Sequence, residues 1–153
     1  MNAFTPADTL HRLAKRAMDK GRGDESCSLF HTLAAIVDTA DAWNNYAFQA
    51  REARRYAESE QAYRHALELQ PDSGQLRNDL AVILHFHKQS KKDWLEAEQL
   101  YEEAIVLAKK VLADGKATKG DKSTAQITLR DATNNLAMLR PRLRDGGKTR
   151  RGR

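Results

Sequence analysis

The sequence predicts an all-α protein built as a short array of antiparallel helix hairpins. Three observations carry this. First, residues 43–71 read Trp43-x2-Tyr46-Ala47, then Tyr56, Tyr63, Ala66, Leu67, Leu69 and Pro71. A large and a small residue, a turn, a second such set and a proline outline one helix hairpin that cannot bury its apolar faces alone. Second, parts of this pattern recur upstream and downstream at a nearly constant offset, as described below. Third, the chain has 3 Pro and 8 Gly in 153 residues but is rich in Ala, Leu, Glu, Lys and Arg. That leaves few helix breakers, and a 41% apolar content is enough for a core.

Thr5 predicts the first helix start, with Pro6 in the first helical position and Asp8 at the positive end of the dipole. Leu10, Leu13, Ala14 and Ala17 recur at helical spacing, and Gly21-Arg22-Gly23 ends the helix. A second helix is expected over about 24–37, with Phe30, Leu33 and Ala34 on one side. This pair is a degenerate copy of the clear hairpin: Leu10, Leu13, Ala14 and Gly21 precede Trp43, Tyr46, Ala47 and Arg54 at one constant offset. The clear hairpin itself has helices over about 39–53 and 56–69.

The third hairpin opens after Pro71-Asp72-Ser73, and Asn78, Leu80 and Ala81 follow Asn44, Tyr46 and Ala47 at a second constant offset, one longer than the first. The register then slips by four, so that Ala97, Tyr101 and Ala104 match Ser59, Tyr63 and Ala66. The extra residues belong in the turn 87–93, where a repeat tolerates them because the turn is expected to pack against nothing. The second helix continues to Gly115, and a polar loop is expected over about 114–123. A last helix is expected over about 124–139, stopping before Pro141. Its Asn134-Asn135-Leu136-Ala137 repeats Asn44-Asn45-Tyr46-Ala47 and Asn78-Asp79-Leu80-Ala81. It therefore reads as the first helix of a fourth hairpin that lacks its second, and it caps the array.

From about Thr5 to Pro141 the chain resembles the tetratricopeptide-repeat family on these residues. The resemblance implies a right-handed superhelical stack of about three repeats plus a capping helix. It also implies a concave face, lined by the first helices, that holds a partner peptide. The chain departs from the family pattern in Ala47 and Ala81 where Gly is common, in Ser59 where Ala is common, and in the insertion. Domain boundaries follow as 5–141 for the repeats and 142–153 for a basic, disordered tail.

Helical geometry separates two stripes. Trp43, Tyr46, Ala47 and Ala50 at i, i+3, i+4 and i+7 carry the repeat signature and should pack inward. Asn44, Phe48 and Arg51, with Glu52 beside them, form the other stripe. Their equivalents are Asn78, Val82, His85 and Phe86, with Asn134 and Met138 on the cap and His11, Lys15 and Met18 before them. These residues are the expected partner-binding set. Asn44, Asn78 and Asn134 either form a ladder of carboxamides, each matching one peptide unit of a bound strand, or are simply common early in such helices. Phe48, Val82 and Phe86 either lie open as an apolar patch or turn into the core. His11, Lys15, Arg51 and His85 would favour acidic or C-terminal groups on a partner. Some family members clamp a chaperone's terminal carboxylate. Lys15 and Asn45 match two members of that clamp, but Gln75 and Asp79 stand where it wants a lysine and an arginine, so that role is not expected.

Charge sits at one end. Residues 140–153 hold seven basic residues against Asp145, a net +6 that leaves −1 on the rest of a +5 chain. Arg142, Arg144, Lys148, Arg150, Arg151 and Arg153 are the candidate polyanion-binding set, with a solubilising tail as the alternative. One cysteine, Cys27, excludes an intramolecular disulfide. No apolar run spans a bilayer and no secretory leader is visible, so a cytoplasmic location is expected. His85 and His87, two apart on a helix, point to different faces and do not share a metal. Arg22-Gly23-Asp24 falls where the turn needs glycine. No phosphate loop, paired catalytic carboxylates or nucleophile elbow appears, and neither an enzyme nor a cofactor is expected. The reading is a protein-interaction adaptor. A nucleic-acid-associated protein held by its tail and a secretion-type chaperone are the alternatives.

Overall fold

The computed structural model describes residues 5–145, and among these it is all helix, with no strand. The helices are α1 (Pro6–Asp19), α2 (Gly23–Val37), α3 (Ala40–Glu52), α4 (Tyr56–Leu69), α5 (Gly74–His87), α6 (Lys91–Ala113) and α7 (Lys119–Arg144). They form two compact units that divide after Pro71.

The first unit holds two hairpins, α1–α2 and α3–α4, with α2 packed on α3. Thr5 caps α1 in a capping box with Asp8, and Thr39 caps α3. Ala14, Cys27, Ala34, Ala47, Ala50, Tyr63 and Ala66 are all within 1% of complete burial. The small residues let helices approach closely, and two serines exploit this. Ser26 Oγ donates to the Ala14 carbonyl at 3.2 Å and Ser59 Oγ to the Ala47 carbonyl at 2.8 Å. That bond satisfies a buried hydroxyl and accounts for serine in a place where alanine is usual.

The two hairpin turns are the same structure. Gly21 (φ +69°) and Arg54 (φ +60°) both sit in the left-handed region. Each turn is closed by paired bonds: Gly21 N to Met18 O and Arg22 N to Ala17 O in one, Arg54 N to Arg51 O and Arg55 N to Ala50 O in the other. A side chain at that φ costs about 1 kcal/mol. Gly21→Ala is therefore expected to destabilise the protein by about 1 kcal/mol, while Arg54→Gly leaves stability unchanged or raises it by up to about 1 kcal/mol. Guanidinium denaturation of both variants checks the opposite signs.

The second unit contains α5, α6 and α7, with α7 lying along α6 and also touching α5. Its core includes Leu80, Ile83, Leu84, Trp94, Tyr101, Ala132, Leu136 and Leu139. Gly74 starts α5 so close to α6 that an added Cβ would stand 3.1 Å from the Ala104 carbonyl and 3.3 Å from Leu107 Cβ. The turn after α5 is not free of contacts as expected: buried Trp94 donates from Nε1 to the Lys88 carbonyl at 3.1 Å, and Ser90 caps α6 through Asp93 N.

The last helix is longer than expected at both ends. It begins at Lys119, because Thr118 and Asp121 form a capping box, so the loop is shorter than 114–123. It also runs through Pro141 to Arg144. A proline this near a C-terminus removes one backbone bond, and Leu139, fully buried, and Leu143, half-buried, hold the turn in place. Residues 142–144 are thus helical rather than tail. Lys148, Arg150, Arg151 and Arg153 lie outside the described residues.

Candidate functional site

The predicted partner-binding residues come from α1 and α3 in the first unit and from α5 and α7 in the second. In the first unit Lys15 and Met18 come from α1 and Asn44, Phe48 and Arg51 from α3. Phe48 is 42% exposed. The Arg51 guanidinium lies 4.8 Å from the ring centroid, a cation–π contact, and touches Glu52 at 3.4 Å. Met18, 40% exposed, joins α1 to α3 through a 3.2 Å contact from Gln49 Nε2 to its sulfur. Lys15 is exposed and Asn44 half-buried. His11 sets its ring edge-on to Phe30.

In the second unit Phe86 is again 42% exposed, with Arg142 at 6.0 Å from the ring centroid and Met138 and Asn134 exposed on α7. Val82 is half-buried. Each unit therefore carries an exposed phenylalanine under an arginine.

Two predicted residues are not on the surface. Asn78 is 7% and His85 1% exposed. Asn78 Nδ2 donates to Asp79 Oδ1 at 3.2 Å, so its amide is engaged inside the unit. Asn78 Oδ1 and His85 Nε2 are buried without a hydrogen-bond partner among the described residues. His85 stacks on Phe86 with centroids 4.0 Å apart, and its Nδ1 stands 3.4 Å from the Tyr101 hydroxyl. Burial, with Arg142 adding to it, pushes the imidazole pKa down to about 4, so His85 is neutral at pH 7 and cannot attract an acidic partner. An unequal ladder follows: Asn44 half-buried, Asn78 buried, Asn134 exposed.

The structure adds two features that motif spacing alone does not reveal. Trp43 Nε1 donates to Asp38 Oδ1 at 2.7 Å, and His65 Nε2 meets the same oxygen at 2.8 Å. That pairing raises the His65 pKa, chiefly through Asp38. In the same unit Arg55 and the Tyr46 hydroxyl both donate to Glu58 at 2.6 Å, which holds that carboxylate below its usual range. The second feature is a cleft of about 650 Å³ on α6 and α7, lined by Lys91, Leu95, Glu98, Arg140, Leu143 and Arg144. Arg140 bonds Glu98 at 3.2 Å and Glu102 at 2.7 Å there. Among the described residues no group of three or more His, Cys, Asp or Glu is placed to hold a metal, and no helix is long and apolar enough to cross a membrane.

No family model and no curated protein matches the chain. Solved structures do. PcrH in complex with the chaperone binding region of PopD superposes with a TM-score of 0.69 at 17% identity, over 93% of this chain and 98% of that one. The Sgt2 TPR domain from Aspergillus fumigatus gives 0.68 at 14% identity, over 99% and 88%. A T3SS complex from Aeromonas hydrophila gives 0.61 at 16% identity, over 86% and 83%. The chain has a tetratricopeptide-like fold of helix hairpins.

Proposed function

We propose that this protein is a non-enzymatic adaptor that binds a segment of a partner protein on the faces bearing Phe48 and Phe86. The observation that carries the reading is the paired construction of those faces. A large apolar ring kept open to water lowers solubility unless something covers it, and here it recurs in both units under a guanidinium. Met18 in the first unit and Met138 in the second are both exposed and offer adaptable apolar surface. Lys15, Arg51 and Arg142 select acidic residues on the partner. A second reading, a chaperone of the secretion type, draws support from the likeness to PcrH, whose structure holds the chaperone binding region of PopD.

The test is selection of peptides from a random display library on the full-length protein. Peptides with an apolar residue flanked by Asp or Glu are expected to be enriched. The double variant Phe48→Ala/Phe86→Ala is expected to lose roughly tenfold or more in affinity for them. Because both rings are exposed, its melting temperature should stay within a few degrees of the parent. Unchanged binding by a folded double variant would refute the reading. Binding that instead collapses with modest added salt would favour the basic residues near the C-terminus.

A further inference from the structure

The repeat register assigns a role to the cleft on α6 and α7 that is separate from the faces above. The segment 134–137 aligns with 78–81 and 44–47. Extending the alignment puts Thr133, Ala137 and Arg140 of α7 where Arg77, Ala81 and Leu84 stand in α5 and Trp43, Ala47 and Ala50 in α3. In α3 and α5 this is the side against the hairpin's own second helix. Ser59 of α4 bonds the Ala47 carbonyl, and Ala47, Ala50, Ala81 and Leu84 are all at 0% exposure. In α7 the equivalents are all exposed.

The neighbouring side of α6 agrees. Glu98 and Glu102 align with Cys27 and His31 of α2, where the next hairpin touches them: Arg55, just before α4, reaches buried Cys27 at 3.4 Å, and the ring of exposed His31 lies 4.6 Å from that of Tyr46. On α6 the same two places are met by Arg140, and Leu95 remains 50% exposed. Among the described residues no second helix follows α7, and the cleft lies where such a helix of the fourth hairpin would pack.

We infer that this cleft accepts a helix from another protein, amphipathic and acidic, which completes the fourth hairpin. Leu95 and Leu143 supply the apolar floor. Lys91, Arg140 and Arg144 stand against Glu98 and Glu102, and the excess of one positive charge favours carboxylates on the incoming helix. Residues 146–153 of this chain are unsuited to the place, since they carry four basic residues and no large apolar one.

A direct probe is a fluorescent peptide of residues 55–70, the sequence of α4, and a second version in which its Arg55 and Arg64 are replaced by Glu. Titrated with the full-length protein at low salt, the acidic version is expected to bind roughly fivefold or more tightly than the native one. Leu95→Asp in the protein should remove binding of the acidic peptide, since a charge near the start of α6 spoils the floor but suits the helix dipole. Lys91→Glu/Arg144→Glu should reverse the preference between the two peptides. Phe48→Ala should change neither result, which keeps this site distinct from the faces above. Absence of binding by both peptides, or equal binding to Leu95→Asp, overturns the inference. So does a homodimer in sedimentation that Leu95→Asp dissolves, because the occupant would then be a second copy.

Discussion

Replacing Tyr101 with alanine is expected to lower folding stability by about 4 kcal/mol. The side chain is fully buried on α6, and its ring stands edge-on to His85 at 6.0 Å. Truncation leaves a cavity between helices already in close contact, and it also strips His85 Nδ1 of its 3.4 Å partner. Tyr101→Phe keeps the packing and loses the hydroxyl, so about 1 kcal/mol is expected. Urea unfolding of both variants separates the two effects. An alanine variant that loses no more stability than the phenylalanine variant would mean that this core is not packed as described.

Acid is expected to act through His85 on a similar scale. In the folded protein its pKa is depressed to about 4, while an unfolded histidine titrates near its ordinary 6.5. Above that ordinary value both states are neutral and the group contributes nothing to the pH dependence. As the pH falls from about 6.5 to about 4, the unfolded chain takes up a proton that the folded one refuses, and stability is lost. The full loss is on the order of 3 kcal/mol, each pKa unit being worth about 1.4 kcal/mol. Carboxylates titrate over part of the same range, so the informative quantity is the difference between the parent and His85→Leu. That difference should grow as the solution is taken from neutral pH into the acid range. A difference that stays flat would show that the imidazole takes its proton in the folded state, and hence that water reaches it.

The elements of this protein are readable from its sequence where punctuation and period agree. Thr5, Gly21 and Pro71 mark helix ends that the structure reproduces closely, and α4 matches the expected 56–69. The last helix departs from expectation at both ends for local reasons. Asp121, in a capping box with Thr118, has the composition of a loop beside Gly120, and Pro141 has the look of a stop although its missing bond falls in the final turns. Phe48 and Phe86 are exposed, whereas Asn78 and His85, which the offset sets among the same candidates, are buried. An offset transfers a position in a helix, not its surroundings, and α5 has both α6 and α7 against it. The cleft on α6 and α7 is likewise invisible to motif reading, because an unfilled place leaves no motif of its own. Arg140 is the available clue, a charged residue where the two aligned helices carry Ala50 and Leu84.

The order of packing within each unit bears on how the chain acquires its structure. α1 meets α2, α2 meets α3, α3 meets α4, and in the second unit α5 meets α6 and α6 meets α7. Apart from the contact of α7 with α5, native contacts thus join helices adjacent along the chain, so little loop-closure entropy is lost before they form. Such a topology folds fast and can start from any hairpin with a good turn, spreading to its neighbour as on a one-dimensional lattice. During synthesis, α1 and α2 can pair as soon as both have left the ribosome, without waiting for distant sequence.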